Sequence, residues 1–253
     1  MVDLVNELEG KVAIVSGSAR NIGRATAIEL SKAGASLVVN ARESRDLCDE
    51  VVAEIQKAGG KAITCLADIS DHEAVRNLVG NAVEEFGGVD ILVNNAAVRS
   101  NIPFLEIDQE EWARIAGTCL QGTLNLSRAC IPLMIERGGG AIVSLAGLSS
   151  YKGSAGRSHV MATKDGLMGL TRGLAIEFGE KNIRANAAVV GRFDTVRSAN
   201  SLQSGFTTEP DIPLGRMGVP QDMADVIRFL VGPGSAYITG QTIHINGGAY
   251  CPH

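Results

Sequence analysis

Short, uninterrupted apolar runs recur along the chain and alternate with longer segments in which apolar residues repeat at helical spacing. The apolar runs lie at 11–17, 36–41, 62–67, 90–96, 141–147, 184–191 and 241–248. Strands that are apolar on both faces are typical of a parallel sheet covered by helices. The segments 23–34 and 72–87 each carry one apolar stripe and end at a glycine, as helices do. The alternation predicts a doubly wound α/β fold with a parallel seven-stranded sheet and right-handed crossovers, formed by a single domain over 1–253.

One stretch departs from this alternation. Residues 196–213, VRSANSLQSGFTTEPDIP, are rich in serine, threonine and proline. They show neither the apolar run of a buried strand nor the apolar spacing of a helix. Long segments of this kind inside a compact domain are usually binding loops, so we predict a substrate lid here.

Charge and cysteine content narrow the range of partners. The chain has 23 Lys and Arg against 28 Asp and Glu, a net charge of −5, with no basic cluster that would indicate a nucleic-acid surface. No apolar run is long enough for a bilayer, and the N-terminal residues are acidic where an export signal is basic. The five cysteines lack metal-ligand spacing, which favours reduced thiols and a cytoplasmic location. The expected partner is a small molecule, with no metal ion.

The first apolar run leads directly into a glycine-rich turn. The residues are SGSARNIGRA, 16–25, and a helical pattern follows them. Such a turn presents free backbone N–H groups and the positive end of a helix dipole to a phosphate. In the first strand-to-helix unit of an alternating chain this is the mark of a Rossmann dinucleotide site.

The spacing of Gly17, Asn21 and Gly23 resembles the T-G-x-x-x-G-x-G turn of the short-chain dehydrogenase/reductase family, with Ser16 for the threonine and Asn21 for the middle glycine. LADIS at 66–70 and VNNAA at 93–97 resemble further family motifs, and the segment 213–250 looks most like 3-oxoacyl-acyl-carrier-protein reductases. The resemblance implies a nicotinamide cofactor held by Gly17, Ser18, Arg20, Asn21, Ile22, Gly23, Asn40, Arg42, Asp68, Ile69, Asn94, Ala96, Lys164 and Phe193.

The end of the second apolar run indicates which cofactor is bound. An NAD site places a carboxylate there for the ribose 2′-hydroxyl, whereas an NADP site places cations near the 2′-phosphate. This chain has Asn40, Ala41 and Arg42, and Arg20 in the glycine turn can approach the same phosphate. We therefore expect NADP(H).

The catalytic pattern of the family is incomplete. The resemblance implies a Tyr that protonates the substrate oxygen, a Lys one helical turn later, a Ser and an Asn. Lys164 matches the lysine, whereas Val160, Gly147 and Cys119 occupy the Tyr, Ser and Asn positions. A general acid contributes about 10²–10⁴-fold to rate, so ordinary ketone reduction is not expected.

Of three side chains near the missing groups, one is the preferred replacement. Tyr151 follows the fifth strand in a loop that borders the family's substrate pocket, and is the preferred replacement donor. His159 is interpreted as a helix-start residue on a surface or subunit contact, and Cys119 as an inert small apolar residue.

Three functions stay open. The first is an NADP(H)-dependent oxidoreductase with divergent chemistry, acting on an iminium, an activated alkene or a substrate protonated by Tyr151. The second is a catalytically silent nucleotide-binding or structural subunit, and the third, ranked last, is conventional carbonyl reduction. The resemblance also implies a homotetramer through helices near 110–135 and 158–178 and through the C-terminal strand, or an assembly with an active paralogue.

Overall fold

The computed structural model describes residues 6–195 and 212–251. The predicted lid at 196–213 therefore lies outside the described residues, apart from its last two positions. Seven strands are present: β1 Val12–Val15, β2 Ser36–Ala41, β3 Ala62–Leu66, β4 Ile91–Asn94, β5 Gly140–Gly147, β6 Ile183–Val190 and β7 Thr242–Ile245. The helices are α1 Asn21–Lys32, α2 Arg45–Lys57, α3 His72–Phe86, α4 Gln109–Ala116, α5 Gly122–Glu136, α6 Ser149–Lys152, α7 Ser158–Phe178 and α8 Pro220–Val231.

The strands form one parallel sheet in the order β3-β2-β1-β4-β5-β6-β7, which confirms the predicted doubly wound fold. One face packs against α1, α2 and α8, and the other against α3, α5 and α7. Core strands are buried on both faces, as the uninterrupted apolar runs predicted.

The strand order reverses between β1 and β4, and this reversal opens a crevice at the carboxyl edge of the sheet. Ligands of open α/β sheets bind at such a point. The predicted strand 90–96 proved too long, because β4 ends at Asn94 and the next two residues turn toward the glycine-rich segment. The segments after β1 and β4 therefore face each other across the crevice.

A π-helical segment, Gly117–Gln121, separates α4 from α5. Single π-helical turns often occur at functional sites. Gly166 of α7 packs closely there, since a Cβ on it would lie 3.1 Å from Leu120 Cδ2. This segment packs against α4, α5 and α7, and its Cys119 is fully buried.

Candidate functional site

The glycine turn approaches the segment after β4 so closely that two of its positions exclude a side chain. Gly17 has a left-handed backbone with φ of 63°, and a Cβ on it would lie 2.9 Å from Ala96 Cα. A Cβ on Gly23 would overlap the carbonyl oxygen of Gly17 and lie 2.5 Å from Asn95 Nδ2. Both glycines are thus required by close backbone approach, as in a dinucleotide site.

Asn21 replaces the middle glycine without distorting the turn. Its φ is 50°, in the left-handed region that asparagine tolerates better than most residues. Arg20 caps α1 in an extended conformation and makes no side-chain hydrogen bond to the first helical turn. The N-terminus of α1 therefore keeps the donor geometry that a phosphate requires.

Two polar residues that sequence reasoning did not assign hold this turn in place. Ser16 Oγ accepts from the backbone nitrogens of Asn95 and Ala96, both at 3.1 Å. Asn95 Nδ2 donates to the carbonyl oxygens of Ser16 at 2.8 Å and Gly17 at 2.9 Å. The sequence signal for the role of Asn95 was the pair of asparagines in VNNAA. The second amide follows directly after a buried strand and has no hydrogen-bonding role inside the sheet, so it is available to another segment.

Asn40 is buried and bonded on every side to neighbouring backbone. Its Nδ2 donates to the carbonyl oxygens of Cys65 at 3.0 Å and Ala67 at 3.2 Å, and its Oδ1 accepts from Gly17 N at 3.3 Å. Ser18 adds a reciprocal pair: its N donates to Asn40 O at 2.8 Å and its Oγ accepts from Asn40 N at 2.9 Å. The structure thus uses Asn40 and Ser18 to join the glycine turn to β2 and β3.

Two arginines lie at the end of β2. Arg20 Nη2 donates to Ser44 Oγ at 3.2 Å, and Arg42 Nε pairs with Glu43 Oε1 at 3.0 Å. All of these groups are exposed. The side chain of Arg20 therefore reaches the loop that carries Arg42, which brings both cations to the same edge of the crevice.

Asp68 and Ile69 border the crevice after β3. Asp68 Oδ1 accepts from Ser70 N at 2.9 Å and from Ser70 Oγ at 2.6 Å, which fixes the turn. Ile69 is buried against the start of α5, and its carbonyl oxygen accepts from Asn125 Nδ2 at 3.0 Å. These two residues stay predicted contacts of the cofactor.

The remaining predicted cofactor residues follow β4 and β6. Asn94 Nδ2 donates to Ser144 Oγ at 3.3 Å, and its buried Oδ1 has no partner among the described residues. Ala96 lies against Gly17, and Phe193 forms an isolated parallel bridge with Gly218. All three residues come from the carboxyl edge of the sheet, where the crevice opens.

Lys164 is buried between α7 and β5, and its Nζ donates to the carbonyl oxygen of Leu145 at 2.6 Å. Burial lowers the pKa of this ammonium, and the nearby Cys119 thiol opposes the shift. The structure therefore confines an amine at the edge where the crevice opens, with no carboxylate of the described residues bonded to it.

The three positions at which the resemblance implies Ser, Asn and Tyr carry small or apolar side chains. Val160 lies one turn before Lys164 on α7, and both it and Cys119 are buried. Gly147 ends β5, and a Cβ on it would lie in ordinary van der Waals contact with Ser149 Oγ, at 3.7 Å. Full burial of Cys119 agrees with the interpretation of an inert apolar residue.

Tyr151 does not direct its hydroxyl toward Lys164. Its Oη donates to Met168 Sδ at 3.0 Å, and its ring centroid lies 4.4 Å from that of His244 and 5.4 Å from that of Tyr250. Burial raises the pKa of this phenol. To donate a proton near the nicotinamide, the Tyr151 side chain would have to move out of this aromatic cluster.

His159 is a core residue, so its placement on a surface was wrong. Its side chain is 1% exposed, and Nε2 lies 3.4 Å from Glu111 Oε1 on α4. The carboxylate of Glu111 also binds Arg114 through two hydrogen bonds of 2.7 and 2.9 Å. This bonding to Arg114, more than the weaker contacts with Ser100 and His159, lowers the pKa of Glu111 to about 2.

The described residues contain no group of three or more His, Cys, Asp or Glu side chains that could hold a metal ion. Over the same ranges no helix has the length and apolar character needed to span a membrane. All five cysteines are unpaired.

A glycine turn at the reversal point of a seven-stranded parallel sheet, with a buried lysine on the helix after β5, defines a nucleotide-binding α/β oxidoreductase. The family model for enoyl-(acyl carrier protein) reductase matches residues 17–250. The chain belongs to the short-chain dehydrogenase/reductase family, whose members bind a nicotinamide cofactor.

Relatives cover nearly the whole chain. A 3-oxoacyl-[acyl-carrier-protein] reductase FabG from Staphylococcus epidermidis is 34% identical over 242 residues, which are 95% of this chain and 99% of that protein. FabG from Thermotoga maritima is 32% identical, over 95% and 98% of the two chains. A crystal structure described as a short-chain alcohol dehydrogenase from Sinorhizobium meliloti superposes with a TM-score of 0.89 at 37% identity, over 97% and 98% of the two chains.

Proposed function

We propose that this protein is an NADP(H)-dependent oxidoreductase whose chemistry does not use the tyrosine acid of its relatives. The observation that carries the proposal is the combination of an intact glycine turn and buried Lys164 with valine at position 160. The glycine turn and Lys164 support a cofactor site, and valine at position 160 supports chemistry without a tyrosine acid.

The residues present fit the cofactor. The glycine turn and the N-terminus of α1 would hold the pyrophosphate, Arg20 and Arg42 the 2′-phosphate, and Lys164 the ribose. Asn40 and Ser18 would support this site through the backbone, since their own hydrogen bonds are satisfied internally. When bound, the nicotinamide supplies a hydride to an electrophilic carbon.

The side chains around that carbon favour a substrate that needs no strong acid. Hydride addition to an iminium carbon moves the C=N π electrons to nitrogen and yields a neutral amine, so no proton is required. Addition to an activated alkene yields an enolate that takes its proton from water. Buried Val160 and Cys119 would exclude water from one side, and Ser149 Oγ, 3.7 Å from the position of a Cβ on Gly147, would donate a hydrogen bond to the substrate.

The test has two stages. NADPH and NADH are titrated against the protein by fluorescence, and NADPH oxidation is then followed with carbonyl, imine and enone panels. We expect NADPH binding and turnover of imines or enones above ketones. Preferential ketone reduction would contradict the proposal. So would a protein that binds NADPH but oxidises it with no compound of the three panels.

Restoring the acid provides a matched check. Val160→Tyr should raise ketone reduction up to about 10²-fold, because it reinstates a general acid one turn before Lys164. Val160→Phe is the control, since it adds the ring without the hydroxyl. Equal rates for the two variants would show that position 160 does not face the reacting carbon.

A catalytically silent subunit is the second candidate, favoured by the burial of Val160 and Cys119 in apolar packing. We propose a cytoplasmic homotetramer, or an assembly with an active paralogue, through α4, α5 and α7. Apolar side chains exposed on these helices support that surface: Trp112, Leu124, Ile135 and Ile176. Sedimentation analysis and co-purification test the assembly, and turnover by the isolated chain would exclude the silent form.

A further inference from the structure

Arg157 precedes α7 and carries a partly buried guanidinium that has no partner among the described residues. Its Nε is inaccessible to solvent and makes no hydrogen bond. Its backbone is fixed, because its N donates to Ser154 O at 3.3 Å and its carbonyl oxygen accepts from Met161 N at 2.9 Å. A buried polar group without a partner is unfavourable, and native proteins seldom retain one without a ligand, water or ion.

The carboxylate on the facing helix does not neutralise this cation. Glu111 is bonded to Arg114 through both of its carboxylate oxygens. Burial is the cause that lowers the pKa of Arg157, and no carboxylate of the described chain opposes it. Since a guanidinium stays charged at neutral pH, Arg157 is a positive charge with no counter-ion in the part of the chain that the structure describes.

Further unsatisfied hydroxyl groups lie on α6 and α7, which pack against each other. Ser150 Oγ on α6 and Ser158 Oγ at the start of α7 are buried and unpartnered within the described chain. Ile102 N, in the loop after β4, donates to the carbonyl oxygen of Gly156, the residue before Arg157, at 2.8 Å. The start of α7 and the helix packed on it therefore carry several groups that can donate a hydrogen bond and have no partner among the described residues.

Arg157 is also close to the proposed reacting centre along α7. It precedes Val160 by three residues and Lys164 by seven, which corresponds to about 4.5 and 10.5 Å along the helix axis. The N-terminus of α7 lies at the carboxyl edge of the sheet, beside the end of β5. A group bound by Arg157 would thus sit a few bonds from a carbon held near Val160.

We propose that Arg157 binds the carboxylate of an imino-acid substrate, with the Ser150 and Ser158 hydroxyls as additional donors. This inference rests on the proposed function, since the imine carbon is reduced at the same site, and stable oxo-acids serve as its binding probes. The planar guanidinium matches a carboxylate through two parallel N–H···O bonds, and the described residues supply no counter-ion for it.

The experiment compares acids with their neutral esters. Binding of 3-oxobutanoate and 4-oxopentanoate, each against its methyl ester, is measured by calorimetry with and without NADP⁺. The variants are Arg157→Met, which removes the positive charge, and Arg157→Lys, which keeps the positive charge but loses the planar guanidinium with its two parallel N–H donors. Lys152→Met, an exposed cation on α6, is the control. NADPH titration and sedimentation are measured for every variant.

At least one acid should bind the wild type about tenfold or more tightly than its ester. Arg157→Met should abolish that preference, Arg157→Lys should retain part of it, and Lys152→Met should not change it. Equal binding of acid and ester by the wild type would overturn the inference, as would an acid preference that survives Arg157→Met. Altered sedimentation of Arg157→Met would overturn it too, by placing the guanidinium in a subunit contact. Failure to bind NADPH would instead refute the proposed function.

Discussion

Replacing Lys164 with methionine should weaken NADP(H) binding about 10- to 100-fold while leaving the chain folded. Lys164 is buried, and among residues 6–195 and 212–251 its Nζ has one hydrogen-bond partner, the carbonyl oxygen of Leu145. The other ammonium hydrogens are therefore available to the ribose hydroxyls. A hydrogen bond from a charged donor contributes about 1.5–3 kcal/mol, which corresponds to the expected change in Kd.

The effect on folding should be small because two changes oppose each other. Methionine leaves the Leu145 carbonyl oxygen without its donor, at a cost of about 1–3 kcal/mol. It also removes a buried charge, whose unfavourable environment is reflected in the lowered pKa of Lys164. In the wild type the unfolded chain binds this proton more tightly, so stability should rise with pH up to the ordinary value of 10.5. Lys164→Met should lose that rise.

The assay is a fluorescence titration of NADPH at pH 7 with chemical unfolding in parallel. Lys152→Met controls for loss of an exposed cation on a neighbouring helix. An unchanged Kd for Lys164→Met would refute the assignment of Lys164 to the ribose. A raised Kd accompanied by a collapsed unfolding transition would instead assign Lys164 a structural role.

Three further predictions concern other parts of the molecule. Gly23→Ala should abolish measurable NADPH binding, because its Cβ overlaps the turn, whereas Gly173→Ala on α7 has open space and should raise stability by about 0.5–1 kcal/mol. Arg42→Ser should raise the Kd of NADPH about tenfold and leave that of NADH unchanged, since only the 2′-phosphate loses a partner. The pKa of Glu111 is lowered to about 2 chiefly by Arg114. The stabilisation that the Glu111 carboxylate gives the folded state is therefore present above about pH 4.5 and lost as the pH falls toward 2. Glu111→Gln should therefore destabilise the protein by about 1–2 kcal/mol at pH 7 and flatten its acid transition.

Each of these predictions has an outcome that contradicts it. Normal NADPH affinity in Gly23→Ala would mean that the turn rearranges freely. A parallel loss of NADH binding in Arg42→Ser would indicate a general phosphate contact. An acid transition of Glu111→Gln identical to that of the wild type would show that the Arg114 pair does not contribute to stability.

The candidate site was predictable from sequence wherever the backbone itself is the functional element. Gly17 and Gly23 are needed because other chain segments pass within contact distance, and such positions leave a recognisable spacing. Side-chain roles were less predictable. Asn40 lies at the expected place, yet its amide is bonded to β3 and the glycine turn. Asn95, whose amide holds that turn through hydrogen bonds, was not assigned. Hydrogen-bond partners depend on which strands are neighbours, and local sequence does not contain that information.

The order of strands and helices, the parallel sheet, the glycine turn and the residues at positions 147, 160 and 164 could all be read from the amino-acid sequence. Local periodicity and residue chemistry are sufficient for these features, because they act over a few neighbouring residues. The packed structure was needed to find that His159 is buried against Glu111, that Tyr151 faces Met168, and that Arg157 has no counter-ion within the described chain. Burial and pairing depend on segments far apart in sequence, which meet only when the helices pack on the sheet.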